Sequence, residues 1–191
     1  MKTAVFGGSF DPPHVAHVLA VTYVLSVADV DEVLVVPCLH HPFAKDLTSF
    51  DHRFAMCEHA MGWLPRTRVS RVEQELGGES RTVRTMACLV EKHPETSFRL
   101  VIGADVLLEA SRWTEFDRVK ELAPLIVLGR AGVVAPGAPP AILPDVSSTS
   151  IREAIRGGRV AGVSHLLARA VLAYVQAQGL YSQTPRTPGA R

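Results

Sequence analysis

Gly7-Gly8-Ser9-Phe10-Asp11-Pro12-Pro13-His14-Val15-Ala16-His17 joins a short apolar strand, Thr3 to Phe6, to an apolar helix, His14 to Ala28. Two glycines after a buried strand permit a sharp turn and let a ligand approach main-chain N–H groups with no Cβ in the way. Asp11 suits the helix N-cap, and Pro12 the first helical position. His14 and His17 are three apart, on one face of the first turns, where unpaired N–H groups and the helix dipole favour an anion. The stretch reads as a phosphate clamp, although a plain strand-to-helix corner with a capping Asp and incidental histidines fits the same residues.

Further along, apolar runs at Val33 to Val36, Arg68 to Val72, Phe98 to Ile102 and Leu125 to Leu128 alternate with helical patterns. The helical patterns span Phe50 to Gly62, Thr82 to Lys92, Glu115 to Leu122, Ser150 to Arg156 and Leu166 to Gln178. Short continuous apolar strands between helices predict an α/β protein with a doubly wound, mostly parallel sheet. Ligands gather at the carboxyl ends of such strands, where the glycine turn falls. The helix after it is apolar nearly all round, which predicts that it is sandwiched between other elements. Ala131 to Pro144, rich in Pro, Gly and Ala, reads as a loop. The expected division is a core over 1–146, a C-terminal helical subdomain over 147–181 and a disordered tail over 182–191.

The 191 residues carry 20 Lys and Arg against 19 Asp and Glu, a net charge of +1. Such a balance argues against nucleic acid or a membrane surface as partner, since each phosphate contact needs a cation. Cys38, Cys57 and Cys88 are odd in number and widely spaced, which suits a reducing cytoplasm and not a disulfide framework. The short, glycine-broken apolar start fits neither a signal peptide nor a membrane span. Cys38, His40, His41, His52, Cys57 and His59 match no common zinc-ligand spacing, so no metal ligand is assigned. His40 and His41 read instead as part of a polar loop beside Lys45.

Ser147-Ser148-Thr149-Ser150-Ile151-Arg152-Glu153 opens another helix, with Ser150 and Glu153 in capping-box spacing and Ser148 an equal candidate for the cap. Hydroxyls followed by a planar cation suit a polyphosphate. GGSFDPPHVAH and VSSTSIR together resemble the G-x-F-x-P-x-H-x-G-H and I-S-S-T-x-I-R signatures of the nucleotidyltransferase superfamily. Within it the likeness is greatest to bacterial nicotinate-nucleotide adenylyltransferases, along Met1 to Tyr181. Lys45 with Asp51-His52-Arg53-Phe54-Ala55-Met56 resembles their loop lysine and H-R-x-x-M helix. Ser80-Arg81-Thr82-Val83-Arg84-Thr85 resembles their S-Y-T-x-x-T; Gly103-Ala104-Asp105, Trp113 and Arg130-Ala131-Gly132 resemble their G-x-D, W and R-x-G. Phosphopantetheine adenylyltransferases, with Thr in place of His14, are more distant.

The resemblance implies a Rossmann-like nucleotidyltransferase fold, and a reaction in which the 5′-phosphate of nicotinate mononucleotide attacks the α-phosphorus of ATP, giving deamido-NAD and pyrophosphate. The nucleophile is already an anion, so alignment replaces base catalysis and supplies roughly 7 to 11 kcal/mol of the barrier. His14, His17 and Arg152 are then the catalytic groups. Gly7, Gly8, Ser9, Phe10, Gly103, Asp105, Ser147, Ser148 and Thr149 fall to ATP. Lys45, Thr82, Thr85, Trp113 and Arg81 fall to the mononucleotide, with Trp113 stacking on the pyridine unless it is a core aromatic. Mg²⁺ is expected to arrive with ATP, held mostly by phosphate and water. Ala16 stands where the family has glycine, and the 133–146 loop is shorter than usual. Arg81 stands where the family has an aromatic; it is either a solvated helix-face arginine or a reader of the nicotinate carboxylate. Nicotinamide mononucleotide, either alone or alongside nicotinate, and a regulator that binds without turnover are the alternatives.

Overall fold

β1 (Lys2–Gly8) is flanked by β2 (Glu32–Pro37) and β4 (Ser97–Gly103) in a computed structural model that describes residues 1–40, 46–109, 112–133 and 139–182. Beyond them lie β3 (Thr67–Val69), β5 (Leu125–Arg130) and β6 (Ala141–Leu143), giving a six-stranded sheet of order β3-β2-β1-β4-β5-β6 in which every pairing is parallel. Side chains alternate across each strand, and both faces are buried. Ala4, Val33, Val35 and Val101 enter one apolar cluster, while Val5, Leu34, Val36, Leu100 and Ile102 enter the other. Such two-sided burial is why the strands appear in the sequence as unbroken apolar runs.

Around the sheet are α1 (Val15–Val27), α2 (Phe50–Cys57, continued as a wider π turn to Gly62), α3 (Val72–Leu76), α4 (Thr82–Lys92), α5 (Ala104–Leu108), α6 (Phe116–Leu122), α7 (Ser148–Arg156) and α8 (Arg169–Ala177). Ile151 of α7 and Val171 and Val175 of α8 join the cluster that contains Ala4, Val21 and Val24. Val83, Met86 and Leu89 of α4 and Val119 of α6 cover the opposite face.

Three expectations change. α1 is not enclosed: Ala16, Ala20, Val21 and Val24 are buried, but Leu19, Tyr23 and Val27 form a stripe four residues apart that is 43%, 38% and 60% exposed. An all-round apolar composition cannot say which face meets the sheet. The 131–144 stretch contains β6, a short edge strand too brief to show a periodic pattern. It lies so close to β5 that a Cβ at Gly129 would stand 2.2 Å from the Pro140 carbonyl oxygen. The third predicted strand stops at Val69, and Val72 begins α3.

Candidate active site

The first turn forms differently from its sequence reading. Gly7 and Gly8 finish β1 without a positive φ, and the chain reverses through Phe10, at φ 49°, and a cis Asp11–Pro12 bond. Phe10 holds that left-handed conformation because its ring is buried, edge-on to Phe6 and to His17. Gly8 provides room for it: a Cβ there would sit 3.0 Å from the Phe10 ring. Asp11 does not cap α1. Its buried carboxylate accepts from the Tyr181 hydroxyl at 2.5 Å and from Thr48 N–H at 3.1 Å. His14 is the N-cap residue, and its backbone N–H donates to His17 Nδ1 at 3.1 Å.

The second segment reaches the first across the fold. Ser148 Oγ donates to Pro12 O at 2.9 Å, and Arg152 Nη1 donates to Asp11 O at 2.7 Å, contacts spanning 136 and 141 residues. Ser147, rather than Ser148 or Ser150, is the α7 N-cap, its hydroxyl accepting from Ser150 N–H at 3.1 Å. That choice frees Ser148 for the turn and leaves Thr149 beside Arg152, 3.4 Å from Nη2.

The two imidazoles lie 3.9 Å apart between centroids, and buried His14 Nδ1 has no hydrogen-bond partner among the described residues. Burial first, then Arg130, lowers His14 from 6.5 to about 4. Burial, His14 and Arg130 hold His17 well below its ordinary value. Both rings are therefore neutral at pH 7, polar partners for phosphate rather than cations. Positive charge comes from Arg152 and Arg130. Arg130 binds Val146 O at 2.7 Å and stands 3.7 Å from Asp105 and 3.6 Å from Asp145, tying the ends of β4 and β5 to the entry of α7.

This arrangement predicts a pH effect. The folded His14 binds fewer protons than the unfolded chain between about pH 4 and 6.5, so its contribution is complete above pH 6.5 and is lost as pH falls toward 4. At pH 5 the loss is roughly 2 kcal/mol. Urea unfolding at pH 7.5 and 5 measures it. His14→Gln is expected to shrink the difference by about that amount, and an unchanged difference rules the effect out.

Arg53 was visible only as part of the helix motif, yet it organises the site's floor. Fully buried, it donates to Thr48 O (2.8 Å), Ser9 O (3.0 Å), Cys38 O (2.7 Å) and Leu39 O (3.1 Å), joining the loops after β1 and β2 to the start of α2. Tyr181, whose hydroxyl burial and then Asp11 keep protonated far above neutral pH, pins the end of the described chain to the turn. Neither role has a local sequence signal, since each depends on contacts between distant segments.

Beside the turn opens a cavity of about 570 Å³ whose lining includes Gly7, Gly8, Ser9, Asp105, Arg81, Thr82, Thr85 and Trp113. Gly7, Gly8 and Ser9 line this cavity, whereas His14, His17 and Arg152 are not among its lining residues. Gly103 caps α5 and delivers Asp105. Trp113 is half-buried, edge-on to Phe116 at 5.7 Å, so packing and lining coexist. The Thr85 hydroxyl donates to Glu73, a buried carboxylate of the same wall. His40 N–H donates to Ser80 Oγ at 3.0 Å, bringing its loop to the cavity edge. Lys45 and His41 lie outside the described residues. Among those described, no three His, Cys, Asp or Glu side chains gather into a metal-binding group. His52 instead pairs with the Tyr174 hydroxyl at 2.9 Å. No helix among them is long and apolar enough to cross a membrane.

A parallel sheet of this order, with two helix starts converging at the end of β1, defines a nucleotidyltransferase, and residues 5–154 match the cytidylyltransferase-like family. The chain belongs, more narrowly, to the nicotinate-nucleotide adenylyltransferases. It is 42% identical to a probable nicotinate-nucleotide adenylyltransferase of Myxococcus xanthus, with 98% of each chain covered. It is 46% identical to one from Anaeromyxobacter dehalogenans, covering 94% of this chain and 96% of that one. The Plasmodium falciparum nicotinic acid mononucleotide adenylyltransferase complexed with NaAD shares the fold, with a TM-score of 0.80 at 19% identity over 94% of this chain and 97% of that one.

Proposed function

We propose that the protein transfers AMP from Mg²⁺-ATP to nicotinate mononucleotide. A mononucleotide phosphate oxygen forms a bond to the α-phosphorus as the bond to the β-phosphate bridging oxygen breaks, releasing deamido-NAD and pyrophosphate. The observation that carries this reading is the direct joining of the two helix starts by Arg152 to Asp11 O and Ser148 to Pro12 O. One cradle of hydroxyls, imidazoles and guanidinium then meets a triphosphate, beside a cavity of about 570 Å³ for the mononucleotide. His14 and His17 hydrogen-bond the phosphates, Arg152 with Ser147, Ser148 and Thr149 holds the β and γ end, and Asp105 accepts from the ATP ribose. Gly7, Gly8, Ser9 and Phe10 offer main-chain contacts. Lys45, Thr82, Thr85, Trp113 and Arg81 serve the mononucleotide.

Neutral imidazoles fit a reaction that needs no base, because the attacking phosphate is already anionic. Mg²⁺ would be held by phosphate and water and would neutralise charge on the leaving pyrophosphate. The three unpaired cysteines support a cytoplasmic setting, and residues 147–181 are read as a helical subdomain that carries one half of the cradle.

Pyrophosphate release from ATP and Mg²⁺ tests the reading. Release is expected with nicotinate mononucleotide and not with ATP alone; no release with any pyridine mononucleotide overturns it. Nicotinamide mononucleotide is the second reading, favoured by the cavity carboxylates Glu73, Glu79 and Glu109, which accept from a carboxamide N–H. The same assay separates the two.

A further inference from the structure

Arg81 occupies the N-cap position of α4 and lines the cavity together with Trp113 and Thr114. Its Nε donates to Glu79 Oε2 at 2.9 Å, its Nη2 lies 2.8 Å from the same oxygen, and its Nη1 donates to Thr114 Oγ1 at 2.9 Å. A guanidinium has five N–H donors, so among the described contacts one N–H remains on each terminal nitrogen. The side chain is 40% exposed, held in place yet open to a ligand. Thr114, which holds it, follows the indole expected to stack on the pyridine.

The rest of the wall works against an acidic ring substituent. Glu73, Glu79, Asp105 and Glu109 all line it, and the other guanidinium there, that of Arg112, stands 3.5 Å from Glu109. Thr85 has committed its hydroxyl proton to Glu73, so it offers a ligand only lone pairs. We propose that Arg81 is the residue that selects nicotinate over nicotinamide, donating its two remaining N–H groups to the pyridine carboxylate while Glu79 and Thr114 hold the fork in position. This rests on the adenylyltransferase reading above. A carboxylate offers only acceptors and the opposite charge, whereas a carboxamide offers one acceptor oxygen and turns its own N–H donors toward the guanidinium.

The test is kcat/KM for nicotinate and nicotinamide mononucleotides, each with ATP and Mg²⁺, in the wild type and in Arg81→Ala, Arg81→Gln and Thr114→Val. Removing Arg81 is expected to lower the nicotinate-to-nicotinamide ratio of kcat/KM by roughly ten- to a hundredfold. Thr114→Val is expected to lower the ratio by about threefold, since the charge stays but its position loosens. Equal losses on both substrates make Arg81 structural and overturn the proposal, as does an unchanged ratio in an active variant. A wild type inactive on both mononucleotides overturns the underlying reading instead, so the two failures are distinct.

Discussion

Arg152→Ala is expected to lower kcat by about 10²- to 10³-fold, with a much smaller change in KM for the mononucleotide. Pyrophosphate gains charge as it departs, and a guanidinium already in place stabilises that charge more than it stabilises bound ATP. Arg152 is set up for this role by its bond to Asp11 O at 2.7 Å and its contact with Thr149 Oγ1 at 3.4 Å. Since Asp11 O belongs to the phosphate turn, the substitution also cuts a tether between the two halves of the cradle. Arg152→Lys keeps a cation but not the planar fork, and is expected to recover only part of the rate. Steady-state kinetics of pyrophosphate release checks this. A loss in kcat below tenfold in Arg152→Ala removes Arg152 from the leaving-group machinery.

The largest effect on stability is expected from Arg53→Met, at about 3 to 5 kcal/mol. Arg53 is 1% exposed and has no carboxylate partner among its hydrogen bonds, all of which go to the carbonyls of Thr48, Ser9, Cys38 and Leu39. A methionine keeps the apolar stem but ends where Nε stood, so the loss comes from carbonyl oxygens left buried without donors and from the space the guanidinium filled. For a chain of this length the melting temperature is expected to fall by roughly 10 °C or more. Thermal unfolding followed by circular dichroism measures it, and a fall of under 2 °C means that water or backbone shifts satisfy those carbonyls. Because Ser9 and Cys38 line the cavity, KM for the mononucleotide is expected to rise in the same variant at temperatures where it stays folded.

The sheet was readable because a strand buried on both faces must be apolar throughout, and the runs at Val33 to Val36, Phe98 to Ile102 and Leu125 to Leu128 fall inside β2, β4 and β5. β6 and α3 escaped because elements of three and five residues are too short to carry a period. The two phosphate-facing segments were readable as motifs because each is local, a few residues at one helix start. Their caps were misplaced: Asp11 and Ser150 have suitable side chains, yet a tertiary bond drew Asp11 to Tyr181, and Ser147 caps α7 by accepting from Ser150 N–H three residues on.

The order of residues alone thus determined a parallel α/β sheet, a glycine-containing turn before the first helix, and a hydroxyl-rich helix start with an arginine, since hydrophobic period and cap chemistry act over a few neighbours. Only the tertiary structure decided that Arg152 and Ser148 bond the Asp11 and Pro12 carbonyls, that Arg53 ties together the loops after β1 and β2 and that the two imidazoles are neutral. Those properties depend on burial and on groups brought together from as far as 141 residues apart, and a linear chain does not contain such distances until it has folded.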